Sequence, residues 1–200
     1  MIQLDEKDQA ENKIYQQMRL YEYLNELPII QVGIDGIEAD DIIAYVSKHK
    51  HYKGWGKVIV SSDKDFFQLC DGETVVFRPI QKEVVDRGSL KIKDGIHPNN
   101  YALARAIVGD KSDNLGLDKK LACHKNILES KKVVETNYDM MQLYNPMISY
   151  TNKQAIDFNI TEFEYDYNKT NFVKMLMKDG QGSIKFETLS PFGSDNPSVL

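Results

Sequence analysis

The run KVIVSSDKDFFQL from Lys57 to Leu69 constrains this chain more than any other. Val58, Ile59 and Val60, followed by the small Ser61, read as a short apolar strand, and the strand ends abruptly in a polar turn bearing Asp63 and Asp65. In open α/β sheets ligands bind just beyond the carboxyl ends of strands, so a carboxylate pair in that place suits a cation site. Asp63 can equally cap the short helix suggested by DFFQL. The local residues leave both roles open.

The flanking sequence supplies a framework. Ile14, Met18, Tyr21 and Leu24 recur at helical spacing between about Asp8 and Asn25, predicting an amphipathic helix that lies on a sheet. Pro28 ends it. Ile29 to Val32 then reads as a short strand, Gly33 to Gly36 as a turn, and Ile37 onward as a second helix that opens with Glu38, Asp40 and Asp41 and buries Ile42, Ile43 and Val46. Strand, helix and strand in this order describe a right-handed βαβ unit in a parallel sheet. Two acidic clusters then face one crevice. On a regular helix Glu38 and Asp41 share a face while Asp40 points away, so all three can be ligands only if Glu38 precedes the first turn. Acids are also favourable at any helix amino terminus, which is the alternative reason for them to be there.

Further along, Thr74 to Arg78 and Glu83 to Val85 read as strands, and Lys91 to Pro98 as a polar connection. Pro98 suits the first turn of a helix burying Tyr101, Ala104, Ile107 and Val108. That helix stops at Gly109, where GDKSDN places Asp110 and Asp113 in a turn.

With 200 residues, 42% apolar and 28% charged, the chain can bury a real core, as one domain with an appendage or as two small ones. A net charge of −5 does not suggest a protein with a basic face for nucleic acid, but the acids concentrate in a few short motifs. Cys70 and Cys123 form no CxxC pattern, which points to a reducing compartment. No signal-peptide pattern or long apolar run is seen, and the expectation is a cytoplasmic protein of a bacterium or an infected host. His49, His51, His97 and His124 lack metal-ligand spacing and are read as surface residues.

Three runs together, IEADDIIAYV (Ile37 to Val46), VIVSSDKDFFQL (Val58 to Leu69) and GDKSDN (Gly109 to Asn114), resemble the 5′ to 3′ exonuclease and flap endonuclease family in its phage and DNA-polymerase-associated branch. The resemblance covers roughly Tyr15 to Asn114. It implies an α/β fold, a partial parallel sheet with flanking helices (a PIN-like 5′ nuclease core), followed by a helical DNA-binding region. Residues 1–97 would be the carboxyl-terminal part of the catalytic domain, 98–135 a degenerate helix-hairpin-helix-like region, and 136–200 a helical extension with a mobile tail from Ser190 to Leu200.

By the same resemblance, Glu38, Asp40, Asp41, Asp63, Asp65, Asp110 and Asp113 would bind metal, with Asp40, Asp63 and Asp65 catalytic. Hard oxygen donors without histidine or thiol select Mg²⁺ or Mn²⁺ rather than zinc. Two such ions about 4 Å apart can activate a water and stabilise the leaving oxygen in phosphodiester hydrolysis, with no side-chain nucleophile. Lys64 is read as a solvated charge rather than a catalyst; with Arg105, Lys111, Ser112, Lys119 and Lys120 it is a candidate DNA contact. The substrates implied are DNA 5′ ends and flaps, or RNA primers, during replication.

Two departures stand out. The family's first strands, which carry two more aspartates, and its basic helical arch have no counterpart before Asp8, so the expectation is one part of a split nuclease completed by a separate polypeptide. A sheet without its middle would leave apolar edges and faces bare. After GDKSDN the family's Gly-x-Gly hairpin is shortened, which leaves potassium-assisted duplex binding doubtful. The alternative function is a catalytically incomplete nucleic-acid-binding or assembly subunit.

Overall fold

Three β-branched runs make the only sheet among the described residues: Lys57–Val60 (β1), Thr74–Arg78 (β2) and Glu83–Val85 (β3), in the order β1-β2-β3. The computed structural model describes residues 6–93, 95–108, 130–164 and 167–181. β1 and β2 are parallel, with Ile59 opposite Val76 and Val60 opposite Phe77. β2 and β3 are antiparallel, and Arg78 faces Glu83. The sheet is therefore mixed rather than all parallel, because the short loop from Pro79 to Lys82 can only close a hairpin; Lys82 adopts a φ of 52° to do so.

The expected strand at Ile29 to Val32 is not formed. A strand exists only against a neighbour, and among the described residues β1 pairs on one side alone. The parallel pair comes instead from β1 and β2, joined through a 3₁₀ turn at Asp65–Leu69.

Alternation divides the sheet into two faces. Ile59, Val76 and Val85 are buried, at 8%, 0% and 5% exposure, beside Phe66, Phe67, Leu69 and Leu90. Val58, Val60 and Val84 point the other way and are more than half exposed. Each aliphatic side chain fully buried on the inner face contributes about 1.5–3 kcal/mol.

Helices Ala39–Ser47 (α2), Arg87–Lys93 (α3), Tyr101–Val108 (α4), Lys131–Met141 (α5) and Tyr150–Thr161 (α6) follow Glu6–Asn25 (α1). α3 occupies part of the segment read as a polar connection. Its start is a reciprocal cap: Ser89 N–H donates to Asp86 Oδ1 (2.7 Å) and Asp86 N–H to Ser89 Oγ (2.9 Å). α4 buries Tyr101, Ala102 and Ala106, while Ala104 is only half-buried and Val108 is exposed. Asn137 of α5 donates to the Ala106 carbonyl at 3.3 Å, tying α5 to α4. Gln68 ties the end of α5 to the 3₁₀ turn, donating to Met141 O (3.0 Å) and accepting from Leu143 N–H (2.7 Å).

The chain gathers into two compact units, Gly33 to Ile156, and the described residues up to Val32 with those from Asp157. In the second unit α1 packs on Lys169–Lys178 (α7). Arg19 Nε donates to Asp179 Oδ2 at 2.6 Å, the Tyr23 hydroxyl donates to the same oxygen at 2.6 Å, and the Tyr23 and Phe172 rings meet edge-on at 5.7 Å. The Arg19 guanidinium, then the Tyr23 hydroxyl, hold the Asp179 carboxyl below its ordinary range. Of the stripe expected to lie on a sheet, Ile14, Met18 and Tyr21 are exposed, at 57%, 62% and 63%, and Leu24 is half-buried, because α1 is held through Arg19 and Tyr23. The tail from Ser190 to Leu200 lies outside the described residues.

Candidate functional site

The turn after β1 builds itself from hydrogen bonds two residues long. Asp63 N–H donates to Ser61 Oγ at 3.1 Å, and Asp65 N–H donates to Asp63 Oδ1 at 2.9 Å. Asp63 thus caps the first residue of the 3₁₀ turn, whose Phe66, Phe67 and Leu69 anchor the motif in the core. Asp63 is exposed and Asp65 is half-buried. Across from it, Arg105 on α4 places Nη2 at 3.0 Å from Asp65 Oδ1, with only 19% and 24% of the two side chains exposed. A charge-assisted bond this sheltered holds Asp65 in one orientation.

The second acidic group sits at the start of α2. Glu38 is the capping residue, with extended backbone (φ −73°, ψ 148°) and no capping bond from its side chain, so it does precede the first turn. Asp40 does not simply point away: its Oδ1 accepts the Asp41 N–H at 2.9 Å. Burial, and then the negative charges of Asp40 and Glu38, push the Asp41 carboxyl above its ordinary range.

These acids offer the oxygen donors that suit a hard divalent ion. Among the described residues, however, no three Asp, Glu, His or Cys side chains come together closely enough to hold one. Asp110, Lys111, Ser112, Asp113, Lys119 and Lys120 lie outside the described residues, as do Cys123 and His124. Lys64 is exposed beside the acids. Two histidines read as surface residues are structural instead: His49 is buried, at 9% exposure, and its Nδ1 accepts the His51 N–H, while His97 Nδ1 accepts the Asn99 N–H and begins the turn into α4. Buried Cys70 has its thiol pushed up to about 11 by burial, so it stays protonated and inert near neutral pH.

One feature had no signal in the sequence. At the carboxyl end of β2, a cavity of about 600 Å³ opens between the sheet, α3 and α4, with Lys64, Arg78 and Arg105 on its walls. Arg78 belongs to no motif. Only its strand-end position opposite Glu83 hinted at anything beyond a surface charge.

Comparison with known proteins places this geometry. Residues 5–95 match the family model of the 5′-3′ exonuclease N-terminal resolvase-like domain. A 5′-3′ exonuclease of Buchnera aphidicola is 31% identical over 190 residues, covering 82% of this chain and 66% of that protein. One from Aquifex aeolicus is 30% identical over 145 residues, covering 60% of this chain and 50% of that protein. The chain therefore spans less than two thirds of the length of these relatives. Two structures share the fold: the T5 D15 protein co-crystallised with metal ions (TM-score 0.65, 16% identity, 82% of this chain and 73% of that one), and the bacteriophage T5 D15 flap endonuclease in a pseudo-enzyme-product complex with DNA and metal ions (TM-score 0.58, 15% identity, 90% and 73%). The sheet that carries the Asp63–Asp65 turn and the acidic start of α2 shares the fold of those structures, and over residues 5–95 the chain matches the 5′-3′ exonuclease family.

Proposed function

We propose that this protein works as a metal-dependent 5′-3′ exonuclease or flap endonuclease, hydrolysing phosphodiester bonds in DNA. The observation that carries the reading is the Asp63–Asp65 turn beyond β1, rigid through its own hydrogen bonds and through Arg105. Glu38, Asp40, Asp41, Asp63 and Asp65, with Asp110 and Asp113, would hold two Mg²⁺ or Mn²⁺ ions. Such ions supply Lewis-acid activation of water and charge neutralisation at the phosphate. The residues themselves then have separable tasks: the Asp63–Asp65 turn fixes two carboxylates, the α2 acids add a third group in which burial, and then the charges of Asp40 and Glu38, raise the Asp41 pKa, and Lys64 and Arg105 bring cations for the DNA backbone.

Cleavage of a 5′-flap DNA with and without Mg²⁺ tests this, alongside Mn²⁺ binding read by electron paramagnetic resonance. Magnesium-dependent cutting and metal binding that both vanish in Asp63→Ala/Asp65→Ala support the assignment. Cutting that survives the double substitution sinks it. A second reading, a nucleic-acid-binding or assembly subunit that does not cut, draws on the absence of any three gathered metal-ligating side chains among the described residues. It predicts flap binding without cleavage, and binding indifferent to the double substitution.

A further inference from the structure

The amino end of the sheet carries a surface that has no part in the proposed nuclease site. From Ile42 to Ser62 the chain holds four lysines, Lys48, Lys50, Lys53 and Lys57, and no Asp or Glu, within a protein of net charge −5. These lysines run from the end of α2, through the 3₁₀ turn Lys50–Tyr52, to the first residue of β1. The acidic turn of Asp63 and Asp65 follows the other end of that strand, so β1 separates the two charges.

Among the described residues, two acids of the turn before β2 reach this end, and both are engaged. Glu73 Oε2 accepts from Lys57 Nζ at 2.7 Å, and Asp71 Oδ1 accepts the Glu73 and Thr74 N–H groups at 2.8 and 2.7 Å. Lys50 and Lys53 are exposed and form no ion pair among the described residues. Lys48 donates to the Tyr144 carbonyl at 3.1 Å, with its ammonium 4.2 Å from the centre of the Tyr144 ring. Aromatic rings stand among these cations. His51 meets Tyr52 edge-on at 4.8 Å, and Tyr52 meets Trp55 at 6.0 Å. Trp55 is nevertheless 55% exposed. Exposed tryptophan and tyrosine are the side chains that most often anchor a binding partner.

A nucleic-acid strand and an acidic polypeptide both seek lysines and rings, and the patch favours the polypeptide. A nucleic acid repeats its charge along a continuous track and stacks its bases on open ring faces. Here the free cations sit on one short turn beside Asp71 and Glu73, and edge-to-face packing of His51, Tyr52 and Trp55 makes a wedge rather than parallel platforms. No arginine between Ile42 and Ser62 offers a fork to phosphate. A few carboxylates with an apolar side chain between them match point charges set around a tryptophan.

We propose that the amino end of the sheet docks a short acidic segment of a partner protein, its carboxylates at Lys50 and Lys53 and its apolar side chain against Trp55 and Tyr52. The surface shares no residue with the proposed nuclease centre and does not depend on that reading. A partner held here leaves the Asp63–Asp65 turn uncovered.

Trp55 is the single tryptophan of the chain, so its fluorescence reads the site directly. The full chain is titrated in EDTA with the peptide Glu-Asp-Leu-Glu-Asp-Phe, which adds no tryptophan signal of its own. The expected result is a saturable change in Trp55 emission that weakens as salt is raised. The same peptide with Ser for every acid, or with Ala for Leu and Phe, binds at least about tenfold more weakly. Lys50→Glu/Lys53→Glu, at exposed positions that do not endanger folding, loses at least about tenfold in affinity, whereas Lys50→Arg/Lys53→Arg keeps it. Binding is unchanged in Asp63→Ala/Asp65→Ala whether or not the parent protein cuts DNA, and its loss there overturns the proposal. No response at millimolar peptide, equal binding of the control peptides, or a charge-reversed protein that folds and binds as before overturns it too. So does a stronger Trp55 response to oligothymidylate, which makes the surface a nucleic-acid contact, or a response to protein concentration alone, which makes it a contact between copies of this chain.

Discussion

The two parallel strands end in opposite chemistry. β1 runs into a turn of serines and aspartates whose bonds span two residues each, whereas β2 runs into Arg78 and a cavity completed by α3 and α4, some ten to thirty residues further along. One end is built by neighbours in sequence and concentrates negative charge. The other is built by packing and concentrates positive charge. Arg105 joins them, lining the cavity while bonded to Asp65. A phosphate substrate needs both signs within reach, cation-binding acids at the reacting centre and cations for the chain that carries it.

Substitutions that strike one end and spare the other test this division. The largest effect is expected from Asp63→Ala/Asp65→Ala, which should lower flap cleavage by about 10³-fold, or about 4 kcal/mol of barrier, at a stability cost no larger than the about 1–3 kcal/mol of losing the Asp65–Arg105 pair. A larger loss of stability would make the acids structural. Leu90→Ala attacks the other end, removing a side chain that is 1% exposed at the cavity wall. It should cost about 2–5 kcal/mol in denaturant unfolding, yet leave the Asp65 amide resonance in place because the β1 turn does not depend on it.

Arg105→Met breaks the link itself. Removing one partner of a sheltered ion pair should cost about 1–3 kcal/mol of stability. Shifts in the amides of both Asp65 and Arg78 would mark the two ends as coupled, and silence at either would mark them as independent. The smallest effect belongs to Asp40→Asn. The raised Asp41 pKa means that the folded protein binds more protons than the unfolded one, so stability falls as pH rises from the ordinary aspartate value through the folded one and stays lower above it. Removing the Asp40 charge should bring the Asp41 carboxyl down and make unfolding less sensitive to pH just above the ordinary aspartate range, as read by carboxyl NMR titration and denaturant melts. An unmoved Asp41 would leave burial and the Glu38 charge as the causes.

What was legible in the chain depended on how far each interaction reaches. β1, β2, β3 and most of α1, α2 and α4 follow from runs of β-branched residues and from helical spacing, whereas the end of α3 overlaps the stretch from Lys91 that reads as a polar connection. α6 escaped notice because its buried residues, Ile156 and Ile160, are a single i,i+4 pair without a wider apolar stripe. The motif order among Glu38, Asp40, Asp41, Asp63 and Asp65 was enough to indicate the family. The cavity was not, since Arg78, Arg105 and Lys64 share no spacing.

By itself, then, the sequence determined what needs only near neighbours: the Ser61, Asp63 and Asp65 relay, the capping position of Glu38, and the local choice of helix or strand. Tertiary structure decided what needs a distant partner. Ile29 to Val32 has strand-forming residues yet pairs with no strand among the described residues, α1 keeps Ile14, Met18 and Tyr21 exposed while its Arg19 and Tyr23 bond Asp179, and His49 is buried where polarity suggested surface. Hydrogen bonds two or three residues long are closed by the chain's own geometry, whereas burial and strand pairing are paid in loop entropy and settle only when the remote surface is there to receive them.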